Sequence, residues 1–486
     1  MPHNESTVRE VGFVTRARRY VLYVEGLPSA RVNDVIIDEE GNRALVHALA
    51  DSHLVALALD PLFARVGMRF ALPLEPYRIS IGPHLFGRVI NALGEPSDGG
   101  KPFPAGTVTL SLEGEAPGIE ARTPEKEQLY TGSTLIDTLL PIAKGQRQMI
   151  FGGNHAGKTS FLTSVVRNQR TEDVICIYVL IGRSLTELQH VVSEVLGADD
   201  SGKNIIITAL SDQPSPRIAI APSIAFLIAE KFQREGADVL VVLDDLDAHA
   251  KYLREIALLE ERMPGQESYP GDLFYQQAHL MERSGYFNDR AGGGSITTLP
   301  VVSTDIENFS SIIPTNLMSC TDGHLLFLPA LQGEGVYPAV SEEQSITRVG
   351  PQAQTLTQKQ LSTQVRMLLG RYRQQRDYAE FGAQLNAETR AALNTGELLE
   401  CALRQDPSES IAADVQIPLI ALTLTPFLEK RDAVFFLEHK QTIRSAIEKH
   451  SDLADLRTGA RAGMPLEAYL ELIKSKGEIF EKVCRV

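Results

Sequence analysis

Residues 150–160 read IFGGNHAGKTS, and the inner GGNHAGKT has the spacing G-x-x-x-x-G-K-T of a phosphate-binding loop. RQMIF supplies the incoming strand and KTSFLTSVV the outgoing helix, which is the context the motif requires. With both flanks in place, a chance Gly-rich turn is the weaker reading. Gly152 and Gly157 allow a tight turn without Cβ clashes. Between them lie Gly153, Asn154, His155 and Ala156. The backbone N–H groups from Gly152 to Ser160 are placed to wrap phosphates, with the helix dipole adding to the attraction. Lys158 is expected to reach the outer phosphates and Thr159 to hold Mg²⁺.

The surrounding pattern decides the fold. RQMIF, VICIYVLIG, NIIITAL and ADVLVVLDD are nearly continuous apolar runs, alternating with the helical stretches KTSFLTSVVRNQ, LTELQHVVSEVLG, SIAFLIAEKFQREG and AHAKYLREIALLEER. Such alternation predicts a mostly parallel sheet covered by helices, over residues 77–353. Residues 1–76 differ. YVLYVEGL, ARVNDVIIDE, GNRALVHALA, SHLVALAL and MRFALPL are short runs between turn residues, expected to close into a small β-barrel. From 354 to 486 the β signals fade and helical periodicity takes over, as in QKQLSTQVRMLLGRYRQQRDYAEF and RDAVFFLEHKQTIRSAIEKH. The fold class is therefore multidomain: N-terminal β-barrel, central α/β P-loop domain, C-terminal α-helical bundle.

Composition narrows the function. The chain has 486 residues, 43% hydrophobic and 22% charged, a globular balance. There are 47 Lys and Arg against 62 Asp and Glu, giving a net charge of -15. That opposes a broad nucleic-acid surface, which needs clustered cations. The four cysteines, Cys176, Cys320, Cys401 and Cys484, are too few and too scattered for a disulfide framework and read as reduced cytosolic thiols. The eleven histidines form no pair at metal-ligand spacing. No apolar run approaches the roughly 18 residues that span a bilayer. IPLIALTLTPFL (417–428) reads as a buried helix, so any membrane contact is expected to be indirect.

Three further pieces carry chemistry. ADVLVVLDDLD (237–247) is an apolar strand ending in acids, and Asp244 or Asp245 at its tip is placed to orient a Mg²⁺ shell. ITRVG (346–350) carries Arg348. An Arg at the edge of a nucleotide domain can act as an arginine finger, although a lone Arg is ordinarily a surface salt bridge. GGG (292–294) reads as a flexible loop ahead of a strand.

Taken together, GRVINALGEPSDGGKPFP, TGSTLIDTLLPIAKGQRQMIFGGNHAGKTSF, PGQESYPGDLFY, GGGSITTLPV, IPTNLMSCTDGHLLF and SITRVGPQAQ resemble the α subunits of F-type ATP synthases. The resemblance runs from about residue 12 to the end and is strongest between 86 and 350. It implies a RecA-like central domain and a ring of six in which this chain alternates with catalytic β subunits around a γ central stalk. It also implies peripheral-stalk partners, ATP or ADP with Mg²⁺ at the chain's own loop, and a peripheral place on the cytoplasmic face of a bacterial plasma membrane. Arg348 matches the arginine that α subunits extend into the β site, and Ser345 matches a serine needed for activity there. Gln405 matches a base-pocket glutamine. Asp244 matches the metal-orienting acid and Thr159 its hydroxyl partner.

The departures matter as much. Catalytic β subunits and the homohexameric secretion and flagellar ATPases carry Glu directly after the Gly of the strand following the loop helix. In YVLIGRSLTEL that position is Arg183. A guanidinium stays protonated and cannot polarise water as a carboxylate does. The expected role is thus a non-catalytic, regulatory ATP-binding subunit. The alternatives are a homohexameric ATPase using Glu187 as substitute, and a ring member that no longer binds nucleotide. Tyr337 stands at a usual Arg, Pro407 at a usual Gln, Ser341 at a usual Asn or Asp, and the loop's middle residues are smaller and less charged than usual. Only MPHNESTVREV precedes the first expected strand, where relatives carry a helix that docks the δ subunit. A complex without δ docking is expected.

Overall fold

The computed structural model describes residues 8–112, 114, 116–197, 202–304, 310–380, 387–407, 409–429 and 431–484. MPHNEST, and the FGAQLN within RYRQQRDYAEFGAQLN, lie outside them. The chain divides into two compact units. One comprises residues 1–124, 144–154 and 173–324, and the other 125–143, 155–172 and 325–486.

The first unit begins with a closed barrel of β1 (Val8–Arg18), β2 (Val21–Glu25), β3 (Val35–Asp38), β4 (Arg43–Leu49), β5 (Leu54–Ala58) and β6 (Arg69–Pro73), in the order β1-β2-β5-β4-β3-β6. Val14, Leu22, Val24, Ile36, Val46, Ala56 and Phe70 fill it. Only a glycine fits at Gly12, where a Cβ would stand 2.7 Å from the Glu25 carbonyl oxygen. The strand β1 starts at Val8, ahead of the first strand expected after MPHNESTVREV. Its burial alternates, with Val14 inside and Val11 and Phe13 outside, so neither an apolar run nor a clean polar face announces it.

The same unit carries six parallel strands: β7 (Arg88–Asn91), β8 (Gln148–Gly152), β9 (Ile175–Arg183), β10 (Asn204–Leu210), β11 (Asp238–Asp244) and β12 (Ser295–Ser303). They lie in the order β8-β12-β11-β9-β10-β7. The expected α/β alternation thus holds strand by strand. Helices α1 (Leu185–Leu196), α2 (Ser215–Gln233) and α3 (Leu246–Leu259) follow β9, β10 and β11. The GGG stretch is fixed rather than loose. All three glycines have left-handed φ, at 99°, 73° and 67°. The Gln233 side chain donates to the Ala291 carbonyl at 3.1 Å and also to that of Gly293.

The barrel joins the sheet through a charge cluster. Asp60 accepts from Arg43 Nε at 2.8 Å and from Arg217 Nη2 at 2.6 Å. Burial would raise the Asp60 carboxyl, but the Arg43 hydrogen bonds and charge outweigh it and hold it below its ordinary value.

The second unit is mainly helical. Beyond Lys158–Glu172 and the short Thr134–Leu139, it contains Leu356–Glu380, Ala387–Leu403, Ala413–Leu422, Ala433–Lys449, Ala454–Ala462, Leu466–Ser475 and Gly477–Val483. IPLIALTLTPFL is buried as expected, but a turn at 423–425 splits it into two helices. No helix among the described residues is long and apolar enough to cross a membrane. All four cysteines are free thiols.

Candidate functional site

Parallel strands bring their C-terminal ends to one edge of a sheet, where open α/β folds place their ligands. In the first unit that edge carries Gly152 (end of β8), Ser303 (end of β12), Asp244 (end of β11) and Arg183 (end of β9). A register shift between Ile181 and Arg183 ends β9, with Gly182 at φ 66°. A side chain there is strained by that φ, and a Cβ would stand 2.5 Å from the Tyr252 ring.

Beyond this bulge the Arg183 guanidinium meets the acids. Its Nη2 bonds Asp244 Oδ1 and lies 3.2 Å from Asp245 Oδ2. The other oxygen of Asp244 accepts the Tyr178 hydroxyl at 2.9 Å. Asp245 caps helix α3, accepting the Ala248 N–H at 2.6 Å. Both carboxylates are buried, at 3% and 4% exposure. Burial lowers the Arg183 pKa, but the Asp244 and Asp245 charges outweigh this and leave it above its ordinary value. Burial also pushes Asp245 up, and pushes Tyr178 far above the ordinary phenol range beside the Asp244 charge.

This arrangement does not fit the Mg²⁺ shell expected at Asp244. Both of its oxygens are already engaged, one by a permanent cation. No group of three or more His, Cys, Asp or Glu suited to a metal ion occurs among the described residues. Glu187 is not free to act as a base either. It closes a capping box, accepting from Ser184 N–H at 2.8 Å and Ser184 Oγ at 2.7 Å, with Arg183 Nη1 3.4 Å away. Burial would raise its carboxyl, but the Ser184 hydrogen bonds and the Arg183 charge hold it below its ordinary value.

The boundary between the units runs through the phosphate loop, between Asn154 and His155. Gly152 has φ 151° and Gly157 φ 83°, as a tight turn of this kind requires. His155 adopts φ 58°, a region that histidine tolerates better than most side chains. Asn154 and His155 are exposed, whereas Gly153, Ala156 and Lys158 are buried. Helix Lys158–Glu172 has no acidic residue in its first turn, so the positive end of its dipole is unopposed.

In the second unit Gly157, Ser160, Phe161, Tyr337, Gln405 and Pro407 line one cavity of about 30 Å³. Gln405 is fully engaged. Its Oε1 accepts the Thr134 N–H at 2.8 Å, and its Nε2 donates to the carbonyls of Gly132 and Glu409 at 2.9 and 2.8 Å.

Arg348 lies on an exposed strap held from both sides. Buried Ser345 Oγ accepts the Leu326 N–H at 3.0 Å and donates to the Ser341 carbonyl. Thr347 Oγ1 donates to the Pro141 carbonyl at 2.8 Å. Gly350 abuts that same carbonyl so closely that no side chain fits. Arg348 itself is exposed, with no hydrogen bond or ion pair among the described residues.

Residues 132–347 match the family described as ATP synthase alpha/beta family, nucleotide-binding domain, and residues 354–465 match the ATP synthase alpha/beta chain, C terminal domain. Over 457 residues the chain is 37% identical to "ATP synthase subunit alpha 1" of Dinoroseobacter shibae, covering 92% of this chain and 87% of that one. The chain belongs to the ATP synthase alpha-subunit family. It is also 34% identical over 449 residues to "ATP synthase subunit alpha 2" of Syntrophotalea carbinolica, covering 92% and 86% of the two chains. "ATP synthase subunit alpha" of Macrococcus caseolyticus matches at 35% over 419 residues, covering 86% and 83%. The resemblance seen in the sequence is thereby shown, and the barrel, α/β domain and helical domain agree with this family's architecture. Sequence reasoning missed Tyr178 and Ser303 around the acid pair. Tyr178 left one trace, as the only polar-tipped side chain in VICIYVLIG.

Proposed function

We propose that this chain is the non-catalytic, ATP- or ADP-binding alpha subunit of a rotary ATP synthase. It alternates with beta subunits in a hexameric head around a gamma stalk and supplies Arg348 to their active sites. Lys158, Thr159 and the N–H groups of the loop grip the phosphates. The head works at the cytoplasmic face of a bacterial plasma membrane and is coupled there to proton or sodium movement by other subunits.

The observation that carries the reading is the Arg183–Asp244 pair. A hydrolytic site needs a carboxylate to orient the attacking water. Here that position holds a cation bonded to the strand-tip acid, and Glu187 is occupied by its capping box. Hydrolytic assistance then falls to Arg348, which stands exposed on a pinned strap, as a residue working in a neighbour's site requires. ATPase assays of the chain alone and of its mixture with a beta-type partner test this. The chain alone should be inactive and the mixture active; robust turnover by the isolated chain would sink the proposal.

A further inference from the structure

Two buried carboxylates in succession, Asp244 and Asp245, cannot both stay ionised without a nearby cation. In phosphate-loop proteins the strand-tip acid ordinarily draws in nucleotide-bound Mg²⁺ for that purpose. In this chain the cation is built into the adjacent strand. β9 and β11 pair in parallel with Leu180 beside Asp244, and the bulge at Gly182 carries Arg183 past the end of the ladder. One nitrogen, Nη2, then serves both acids. The remaining oxygen of Asp244 is closed off by Tyr178, and Asp245 is committed to capping α3.

Three physical consequences follow. Arg183 does not deprotonate in any ordinary pH range, so its charge is always present. A divalent ion approaching Asp244 meets a carboxylate already neutralised, together with a like charge held beside it. Arg183 also keeps a donor in reserve, because its Nε is buried without a hydrogen-bond partner among the described residues.

We propose that Arg183 is the resident cation of the strand-tip acids, replacing the metal there, so that this chain binds nucleoside di- and triphosphates largely independently of Mg²⁺. The inference rests on the nucleotide-binding reading given above. It extends that reading by making the own-site nucleotide insensitive to the divalent-ion level that governs a neighbouring catalytic site.

Equilibrium titration of the full chain with a trinitrophenyl-ATP analogue tests it, in excess Mg²⁺ and in EDTA. For the native chain the dissociation constant should change by less than about threefold on chelation, whereas Arg183→Gln should bind about tenfold or more weakly in EDTA and recover with Mg²⁺. Arg183→Lys, which keeps the charge, should remain metal-insensitive. Loss of about tenfold or more in native affinity on chelation overturns the inference while leaving nucleotide binding intact. Absence of binding by the native chain under both conditions overturns the nucleotide-binding reading, and this inference with it. The native comparison stands even where a variant fails to fold.

Discussion

The Ser345 hydroxyl accepts the Leu326 N–H at 3.0 Å, fastening the strap that carries Arg348 to the end of the preceding strand. Ser345 is buried, so the role expected of it is to position Arg348. Ser345→Ala leaves a buried N–H unsatisfied, at a cost of about 1–3 kcal/mol. The expected outcome is a lowered melting temperature and reduced turnover of the mixture with a beta-type partner, with nucleotide binding by the chain alone unchanged. Unaltered melting together with lost turnover would show a direct chemical role instead.

Arg348 should behave in the opposite way. Being exposed and unpaired among the described residues, it can be removed with a change in stability within about 0.5 kcal/mol. Removing an arginine finger costs roughly 10³-fold or more in turnover. Arg348→Ala should therefore melt like the native chain yet leave the mixed assembly almost inactive. Arg348→Lys should rescue little, because an ammonium lacks the planar fork. Native-like turnover in the Ala variant would reject the finger.

Legibility in the sequence followed the range of the forces involved. The β9, β10 and β11 strands are apolar on both faces because helices cover both, so VICIYVLIG, NIIITAL and ADVLVVL were plain. The extent of β1 was less plain, because Arg16, Arg18 and Thr15 share a half-exposed barrel strand with Val14. PLEAYLELIKSKGEIFEKVC has helical periodicity throughout, yet the helix breaks at Lys476, ahead of Gly477. Motif spacing marked Lys158, and the acidic end of an apolar strand marked Asp244 or Asp245, as candidates. It could not show that Arg183 grips Asp244, because that contact depends on which strands become neighbours and on a one-residue bulge. The engagement of Gln405 was hidden for the same reason, as its partners Gly132 and Thr134 lie about 270 positions away.

Gln405 offers a test of how the base cavity works. A direct base contact predicts that Gln405→Ala weakens nucleotide binding. The structure instead shows its amide oxygen and nitrogen both turned onto backbone. Gln405→Ala should then destabilise the chain by about 1–3 kcal/mol, from the loss of buried hydrogen bonds, while leaving affinity for an ATP analogue unchanged or improved. Lys158→Ala is the control and should abolish binding. A clear loss of affinity in the Gln405 variant would make it a base ligand.

Asp137 gives a prediction in pH. The carboxyl is wholly enclosed in the second unit and accepts from Thr131 N–H and Oγ1 at 2.8 and 2.7 Å, Gly132 N–H at 3.0 Å and Gln416 Nε2 at 2.9 Å. Burial raises its pKa from 3.8 to about 6, with the donors from Gln416, Thr131 and Gly132 restraining the rise. The folded value thus lies above the unfolded one, the reverse of the usual carboxylate case. Between the two values the folded chain binds more protons than the unfolded chain, so this group's contribution to stability falls as pH rises. Across the whole window the fall amounts to about 3 kcal/mol. Asp137→Asn cannot titrate, and its amide N–H groups face donors, so the variant should be weaker than the native chain at pH 4.5. Its deficit should then shrink on moving to pH 7.5, as the native chain takes on the cost of a buried charge. Urea unfolding of both proteins at the two pH values measures the change in their difference, and a difference independent of pH would show that Asp137 titrates alike in the folded and unfolded chains.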